Sequence, residues 1–212
     1  MTAAANRGRP RGFDRAVALE RAMEVFWRRG YEGASLGDLT TAMGIASPSL
    51  YAAFDSKEAL FRAAVAHYNE VEGAIPRQVL RDARTARAAI AGLLRHFAAA
   101  YVRPDRPTGC LVVLAAATIS AGNDPVRAFL ADCRRADRAD LRDRLDRGVT
   151  DGDLPAGTDT EAVAEFYHAV TLGMAMRARD GGTGKSLTAI AEAAIAAWDR
   201  VLTADAHPGA RR

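Results

Sequence analysis

Apolar positions recur at helical spacing along nearly the whole chain. Leu19, Ala22, Met23 and Phe26 mark a first helix over about Asp14 to Arg29, ended by Gly30-Tyr31-Glu32-Gly33. Ser35 stands where it can cap a second helix, with Asp38 three residues on as an approximate capping box. Leu36, Leu39 and Met43 form the stripe of that helix, and Gly44 stops it. Ile45 and Ala46 make a turn. Ser47 is then predicted to cap a third, very short helix, with Pro48 at the first helical position, where its missing N–H costs nothing. That helix runs to about Phe54. A fourth opens at Asp55 or Ser56 and continues to about Glu72, with Phe61, Ala64, Val65 and Tyr68 on one side.

The remaining pattern is longer and more apolar. Ile90, Leu93, Leu94, Phe97 and Tyr101 predict a fifth helix, ended by the Pro104–Pro107 segment. Cys110 to Ile119 is apolar almost all round, as a buried helix is. A long helix follows over about 125–147, its first half apolar (Val126, Phe129, Leu130, Cys133) and its second half laced with Arg and Asp. Gly148 to Thr158 reads as a loop. Val163, Phe166, Tyr167, Val170 and Met174 predict an eighth helix, and Leu187, Ile190, Ala194, Ile195, Trp198 and Leu202 a ninth. The expected fold is therefore all-α, with about nine helices.

Composition supports helices and an ordered core. Of 212 residues 49% are apolar, enough to bury a sizeable core, and Ala dominates while β-branched residues are sparse. The net charge of +3 is too small to identify a nucleic-acid binder, but its placement is informative. Residues 1–12 carry Arg7, Arg9 and Arg11 with no acidic residue. Such a segment suits either a solubilising tail or a DNA-contacting arm. Cys110 and Cys133 are too few and too isolated for a disulfide framework or a zinc cluster, and His96 and His168 lack companions at ligand spacing. No metal or other cofactor is expected. No stretch resembles a signal peptide, and no run of 18 apolar residues could span a bilayer, so no membrane partner and a cytoplasmic location are expected.

Residues 35–54 have helix-turn-helix proportions: a capped helix, a turn containing Gly44 and a second short helix. Leu39, Met43, Ile45 and Leu50 would hold the two helices together. Ser47, Ser49 and Tyr51 offer hydroxyls, and the small Ala46, Ala52 and Ala53 permit close approach to a major groove. An ordinary helical hairpin with the same core positions fits the pattern too.

The first 65 residues resemble the DNA-binding domain of the TetR family of bacterial transcriptional regulators. The resemblance rests on Gly-Arg-Pro-Arg at 8–11, Ala22 through Phe26 to Gly30-Tyr31, Gly33-Ala34-Ser35-Leu36 and Ala42-Met43-Gly44-Ile45. Ser49-Leu50-Tyr51, Phe54 and Lys57-Glu58-Ala59-Leu60 continue it. Any one of these elements is weak; their combination and spacing are specific. The resemblance implies a flexible basic arm at 1–12, an N-terminal three-helix helix-turn-helix DNA-binding domain at 13–58, a helical ligand-binding and dimerisation domain at 59–204 and a flexible tail at 205–212. It implies a ligand-responsive regulator, a repressor and not an enzyme, acting as a homodimer on a palindromic double-stranded DNA operator. The implied DNA contacts are Arg7, Arg9, Arg11, Ser35, Ala46, Ser47, Pro48, Ser49, Tyr51 and Lys57, while Leu50 and Phe54 match core positions. The recognition helix begins without Arg, Lys, Asn or Gln, so base discrimination would rest on hydroxyls, methyl contacts, water or DNA shape.

Family architecture places an effector pocket within the second half. Its expected lining is Phe97, Tyr101, Cys110, Leu114, Thr118, Phe129, Cys133, Phe166, Tyr167 and Met174, suited to a small hydrophobic or aromatic compound. The dimer interface is expected on the last two helices, at Phe166, Gly173, Ala191, Ala194, Ile195 and Trp198. The alternative is a helical small-molecule-binding or interaction protein without sequence-specific DNA binding. An enzyme is disfavoured because no P-loop, dinucleotide fingerprint, zinc signature or serine elbow is present.

Overall fold

The computed structural model describes residues 13–203, and among these all regular structure is helical. The eleven helices are α1 (Arg15–Gly33), α2 (Leu36–Met43), α3 (Ser47–Phe54), α4 (Lys57–Val71), α5 (Ala74–Asp82), α6 (Ala86–Ala100), α7 (Leu111–Ala116), α8 (Asp124–Thr150), α9 (Thr160–Arg179), α10 (Gly184–Ala196) and α11 (Trp198–Thr203). Helix α1 packs on α2, α4 and α7; α3 is seated between α2 and α4. In the second half α6 packs against α10 and α5, and α8 against α9 and α7. One hydrophobic core runs through both halves, from Ala22, Met23 and Phe26 to Leu187, Ala191 and Trp198.

Local chemistry explains most of the helix ends. Asp14 caps α1 by accepting from the backbone N–H of Ala16 and Val17, and the regular helix breaks at Gly30 before one further turn. Gly44 closes α2 in the left-handed region at φ 70, a conformation that side chains with a Cβ strongly resist. Its N–H donates to the carbonyls of Thr40 and Thr41.

Several elements differ from the pattern-based reading. Helix α5 was not expected: the stretch between the fourth and fifth expected helices was left unassigned. In the structure Pro76 is the third residue of α5, where an N–H would have no partner within the helix anyway. Gly148 was expected to begin a loop, yet α8 continues through it to Thr150. A Cβ there would lie 3.0 Å from that of Ala86 and 3.2 Å from Leu154, so this glycine permits close packing and does not end the helix. The apolar run at 110–119 yields only the six residues of α7, and the expected ninth helix divides at Ala197 into α10 and α11. Among the described residues no helix is long and apolar enough to cross a membrane.

Candidate nucleic-acid interface and effector cavity

Helix α3 carries two opposed faces. Leu50 and Phe54 are buried, and Ala46, Ser47, Pro48, Tyr51 and Ala52 are exposed, Tyr51 by 44%. Ser49 is half-buried between them. The guanidinium of Arg15 lies 4.6 Å from the centre of the Phe54 ring, which ties the end of α3 to α1. The N-cap of α3 is Ala46, not the expected Ser47, and no side chain caps this terminus. Ser47 is instead the first helical residue, so its hydroxyl is not consumed by capping. A terminus with unsatisfied N–H groups and a free hydroxyl is suited to an acceptor such as phosphate.

Two other expected DNA contacts are already engaged. Ser35 Oγ accepts from the Asp38 backbone N–H at 3.0 Å and donates to Asp38 Oδ2 at 2.7 Å. The Ser35 hydroxyl and the Ser35 backbone N–H, which donates to Asp38 Oδ2 at 3.1 Å, hold the Asp38 carboxyl below its ordinary range, with Arg29 nearby. A phosphate would have to displace Asp38 to take the Ser35 proton. The ammonium of Lys57, at the start of α4, rests 4.7 Å from the centre of the Tyr31 ring. Burial lowers its pKa, and Glu32 offsets part of that. Arg7, Arg9 and Arg11 lie outside the described residues.

Residues 13–58 carry more acidic than basic side chains, which by itself argues against DNA. The fold sorts these charges. On the side facing the second half, Glu20 meets Arg106 and His67, with His67 Nε2 at 2.6 Å. Burial raises the Glu20 pKa, but these hydrogen bonds outweigh it and leave the carboxyl below its ordinary value. Glu24 meets Arg28 and Arg106. Glu32 Oε1 accepts from the Ser120 N–H at 2.8 Å, the Ser120 hydroxyl at 2.7 Å and the Asn123 amide at 2.6 Å, so it ties the end of α1 to the α7–α8 connection. Sequence reasoning missed two cations on the other side. Arg15 sits over Phe54, and Arg21 lies beside the turn, its Nη1 3.6 Å from where a Cβ on Gly44 would be. Both are basic positions of α1 outside its apolar stripe, a signal present in the sequence.

In the second half a cavity of ≈ 100 Å³ lies among α4, α5, α6, α7, α8 and α9. Of the ten positions proposed for an effector pocket, Phe97, Tyr101 and Cys110 border this cavity. Phe97 and Tyr101 stack at 4.9 Å and 13°, forming one flat wall. The other seven expected positions lie away from this cavity. Tyr167 and Met174 are fully buried in the core, and the Tyr167 hydroxyl donates to the Ala194 carbonyl at 3.2 Å. Phe129 is covered by the Arg62 guanidinium, Cys133 is half-buried on α8, and Phe166 faces outward. Thr118 is exposed beside Gly30, and Leu114 borders a different cavity.

Other residues complete the lining of the ≈ 100 Å³ cavity: Tyr68 from α4 and Glu72 just beyond it, Pro76 and Leu80 from α5, and His168 and Thr171 from α9. His168 is 9% exposed, and its Nε2 has no hydrogen-bond partner. Burial lowers its pKa, so the ring is kept neutral. At the rim, desolvation by the surrounding wall and then the neighbouring Asp140 raise the Asp137 carboxyl to about 6, although part of it still meets solvent. The Cys110 thiol is buried and its pKa is raised by desolvation, which disfavours the reactive thiolate.

On the expected dimer surface the six positions divide. Ala191, Ala194 and Trp198 belong to the core of the single chain, and Ile195 is half-buried. Phe166 and Gly173 face outward, and nothing lies within 4 Å of a Cβ placed on Gly173. Ala169 and Met176 share that face of α9 at helical spacing, and Ile190 is exposed on α10.

Known proteins are similar to this chain over most of its length. Residues 18–64 match the family described as bacterial regulatory proteins, tetR family, and residues 86–194 match the tetracyclin repressor-like C-terminal domain. The chain is 31% identical to the HTH-type transcriptional repressor ComR of Escherichia coli (strain K12), with 93% of this chain and 94% of that protein covered. Its identity to the HTH-type transcriptional repressor BdcR of the same organism is 28%, over 92% of this chain and 94% of that one. Among solved structures, a cysteine mutant of the TetR family transcriptional regulator CifR, complexed with 26-bp double-strand operator DNA, is 50% identical. It superposes with a TM-score of 0.88, covering 90% of this chain and 100% of that chain.

Proposed function

The chain belongs to the TetR family of bacterial regulatory proteins, and from that membership we propose a homodimeric repressor released from a palindromic operator by a small effector. That it is a DNA-binding transcriptional regulator and not an enzyme follows from the family itself. The observation that carries the finer reading is the division of α3. Leu50 and Phe54 anchor it, while an outer face of small and hydroxyl-bearing side chains stays free of internal bonds. Ser47, Ser49 and Tyr51 offer hydroxyls to phosphate and base edges, and Ala46, Pro48 and Ala52 let the helix sit deep in the groove. Arg15, Arg21 and Lys57 supply charge around it, with Arg7, Arg9 and Arg11 of the arm.

A helix this short reads few base pairs, so two copies related by a two-fold axis are the economical solution. The outward face of Phe166, Ala169, Gly173 and Met176 on α9, with Ile190 on α10, supports pairing there. The buried Ala191, Ala194 and Trp198 would shape that face from behind.

The cavity volume of ≈ 100 Å³ favours a compact effector, with an apolar or aromatic body against Phe97 and Tyr101 and a polar group toward His168. Helix α4 connects the two sites. It begins at Lys57 beside the DNA-facing unit and brings Tyr68 and Glu72 to the cavity, a span of about 22 Å at 1.5 Å per residue. An effector that fits one position of α4 better than the other shifts the population between DNA-binding and released states.

Selection of bound sites from random duplex DNA tests the first half of the proposal, with an enriched palindrome as the expected result. Failure to enrich any site would overturn it. Titration of small aromatic compounds into the complex tests the second half, with release expected from at least one; stable complexes with every such compound would count against the effector class.

A further inference from the structure

The connection between α6 and α7 starts and ends on the wall of the candidate effector cavity, at Tyr101 and Cys110. The backbone N–H of Gly109 donates to the Tyr101 carbonyl at 2.8 Å, which closes residues 101–109 into a loop. Gly109 adopts φ 76, and a Cβ there would lie 2.8 Å from the Ala175 carbonyl oxygen, so the foot of the loop is pressed against α9. These contacts fix the backbone from which Arg103 and Arg106 reach. How each guanidinium is shared is then set by the carboxylates around it.

Arg106 is divided among three carboxylates. Its Nη1 meets Glu20 and, at 3.5 Å, Glu24, both on α1 of the DNA-binding unit, while its Nε lies 3.4 Å from Glu72. Glu72 is the C-cap of α4 and borders the cavity, with 13% of its side chain accessible. A carboxylate at a helix C-terminus faces the negative end of the helix dipole and depends on neighbouring cations. Arg103 supplies a second one, its Nη2 3.1 Å from Glu72 Oε1. Arg103 otherwise pairs with Asp105 of its own loop and, among the described residues, forms no ion pair with α1. Of the two arginines, only Arg106 spans from the cavity rim to α1. Its pairs are largely shielded, so salt screens them less than it screens surface pairs.

We propose that Arg106 couples the effector cavity to the DNA-binding unit: an occupant that engages Glu72 releases the guanidinium toward Glu20 and Glu24 and so re-aims α1. A carboxylate only accepts, so the group that engages Glu72 is a hydrogen-bond donor. Helix α1 packs on both α2 and α4, and a change at Glu20 and Glu24 therefore reaches the unit that presents α3. The proposal rests on the repressor reading above and adds a charge-borne link to the one that α4 provides. Its size is set by how differently the occupant binds the two arrangements of Arg106.

Glu72→Gln removes the charge and keeps the shape, imitating capture of the carboxylate. In the full-length protein it is combined with Arg106→Gln and, separately, with Arg103→Gln. Both double-mutant cycles are read by operator titration on the selected palindrome and, without DNA, by hydrogen exchange at the α1 amides of residues 20–24. Glu72→Gln is expected to weaken operator binding about fivefold or more and to speed that exchange by a similar factor. Both effects should fall below about twofold in the Arg106→Gln background and persist in the Arg103→Gln background. Should Arg106→Gln not fold, Arg106→Lys, which keeps a cation but loses the fork, takes its place. A Glu72→Gln effect that is absent, or equal in the two arginine backgrounds, in either readout would overturn the proposal. Hydrogen exchange needs no operator. A chain that enriches no palindrome would thus refute the repressor reading while the exchange cycle still decides the coupling.

Discussion

The α2–α3 unit and the candidate effector cavity are built in opposite ways. The local signals that shape α2 and α3 lie within about twenty residues: the Ser35–Asp38 box, Gly44 in the turn, and Leu39, Met43, Leu50 and Phe54 beneath the two helices. The cavity draws on six helices spread from Tyr68 to Leu172. In the first region a side chain's neighbours are set by helical periodicity. In the second they are set by which helices pass one another. A local unit can keep its shape while the surrounding helices vary, whereas a cavity changes with any of them.

Substitutions can separate the two regions. The largest effect is expected from Leu50→Ala. Leu50 is fully buried under the recognition face, and truncating such a residue costs about 2–5 kcal/mol. Urea unfolding should show that loss, with operator binding greatly reduced; unchanged stability would mean that Leu50 does not anchor α3. Filling the cavity with Val113→Phe should reduce the response to a releasing compound about tenfold and leave operator affinity intact. An equal loss of both would show that the regions are not separable. Ser47→Ala and Tyr51→Phe remove only exposed hydroxyls, and each should weaken operator binding severalfold with stability within about 0.5 kcal/mol. A quantitative DNA titration distinguishes that result from no effect.

The smallest expected effect is on the pH dependence of stability. Burial keeps His168 neutral in the native chain, whereas the unfolded chain takes up a proton below about pH 6.5. The unfolded state therefore binds more protons there, and this contribution to stability declines as the pH falls from 7 to 5. Asp137 acts in the opposite sense. Its native carboxyl, raised to about 6, holds a proton that the unfolded chain has lost above about pH 4, so its contribution declines as the pH rises through that window. Comparing His168→Gln with the parent cancels the Asp137 contribution, and the variant should show a flatter curve between pH 5 and 7. Parallel curves would remove His168 from this account.

What was legible in the sequence follows the same division. The caps at Asp14 and Ser35, the turn at Gly44 and the buried pair Leu50 and Phe54 each depend on residues a few positions apart. The N-cap of α3 was misplaced by one residue, because Ser47 is the better capping side chain, yet the backbone begins its helix one position earlier, at Ala46. Helix α5 was left unassigned: it is only nine residues long, with Leu80 and Pro76 as its buried residues, too few apolar positions for helical periodicity to register. Its absence removed one cavity wall, along with Pro76 and Leu80. Tyr167 and Met174 look like lining residues by size and spacing, but helical phase cannot tell a residue facing a void from one facing a filled core.

The sequence by itself determined an all-helical chain with a helix-turn-helix unit near its start, because capping, turn chemistry and i, i+3, i+4 periodicity act over distances that a local reading spans. Only the tertiary structure decided which acidic groups of α1 were paired with the second half of the chain, which aromatic side chains border empty space, and where Trp27 was left without an acceptor. Each of these depends on helices far apart in the chain meeting at one place, and no periodicity within a single helix records which neighbour it will meet.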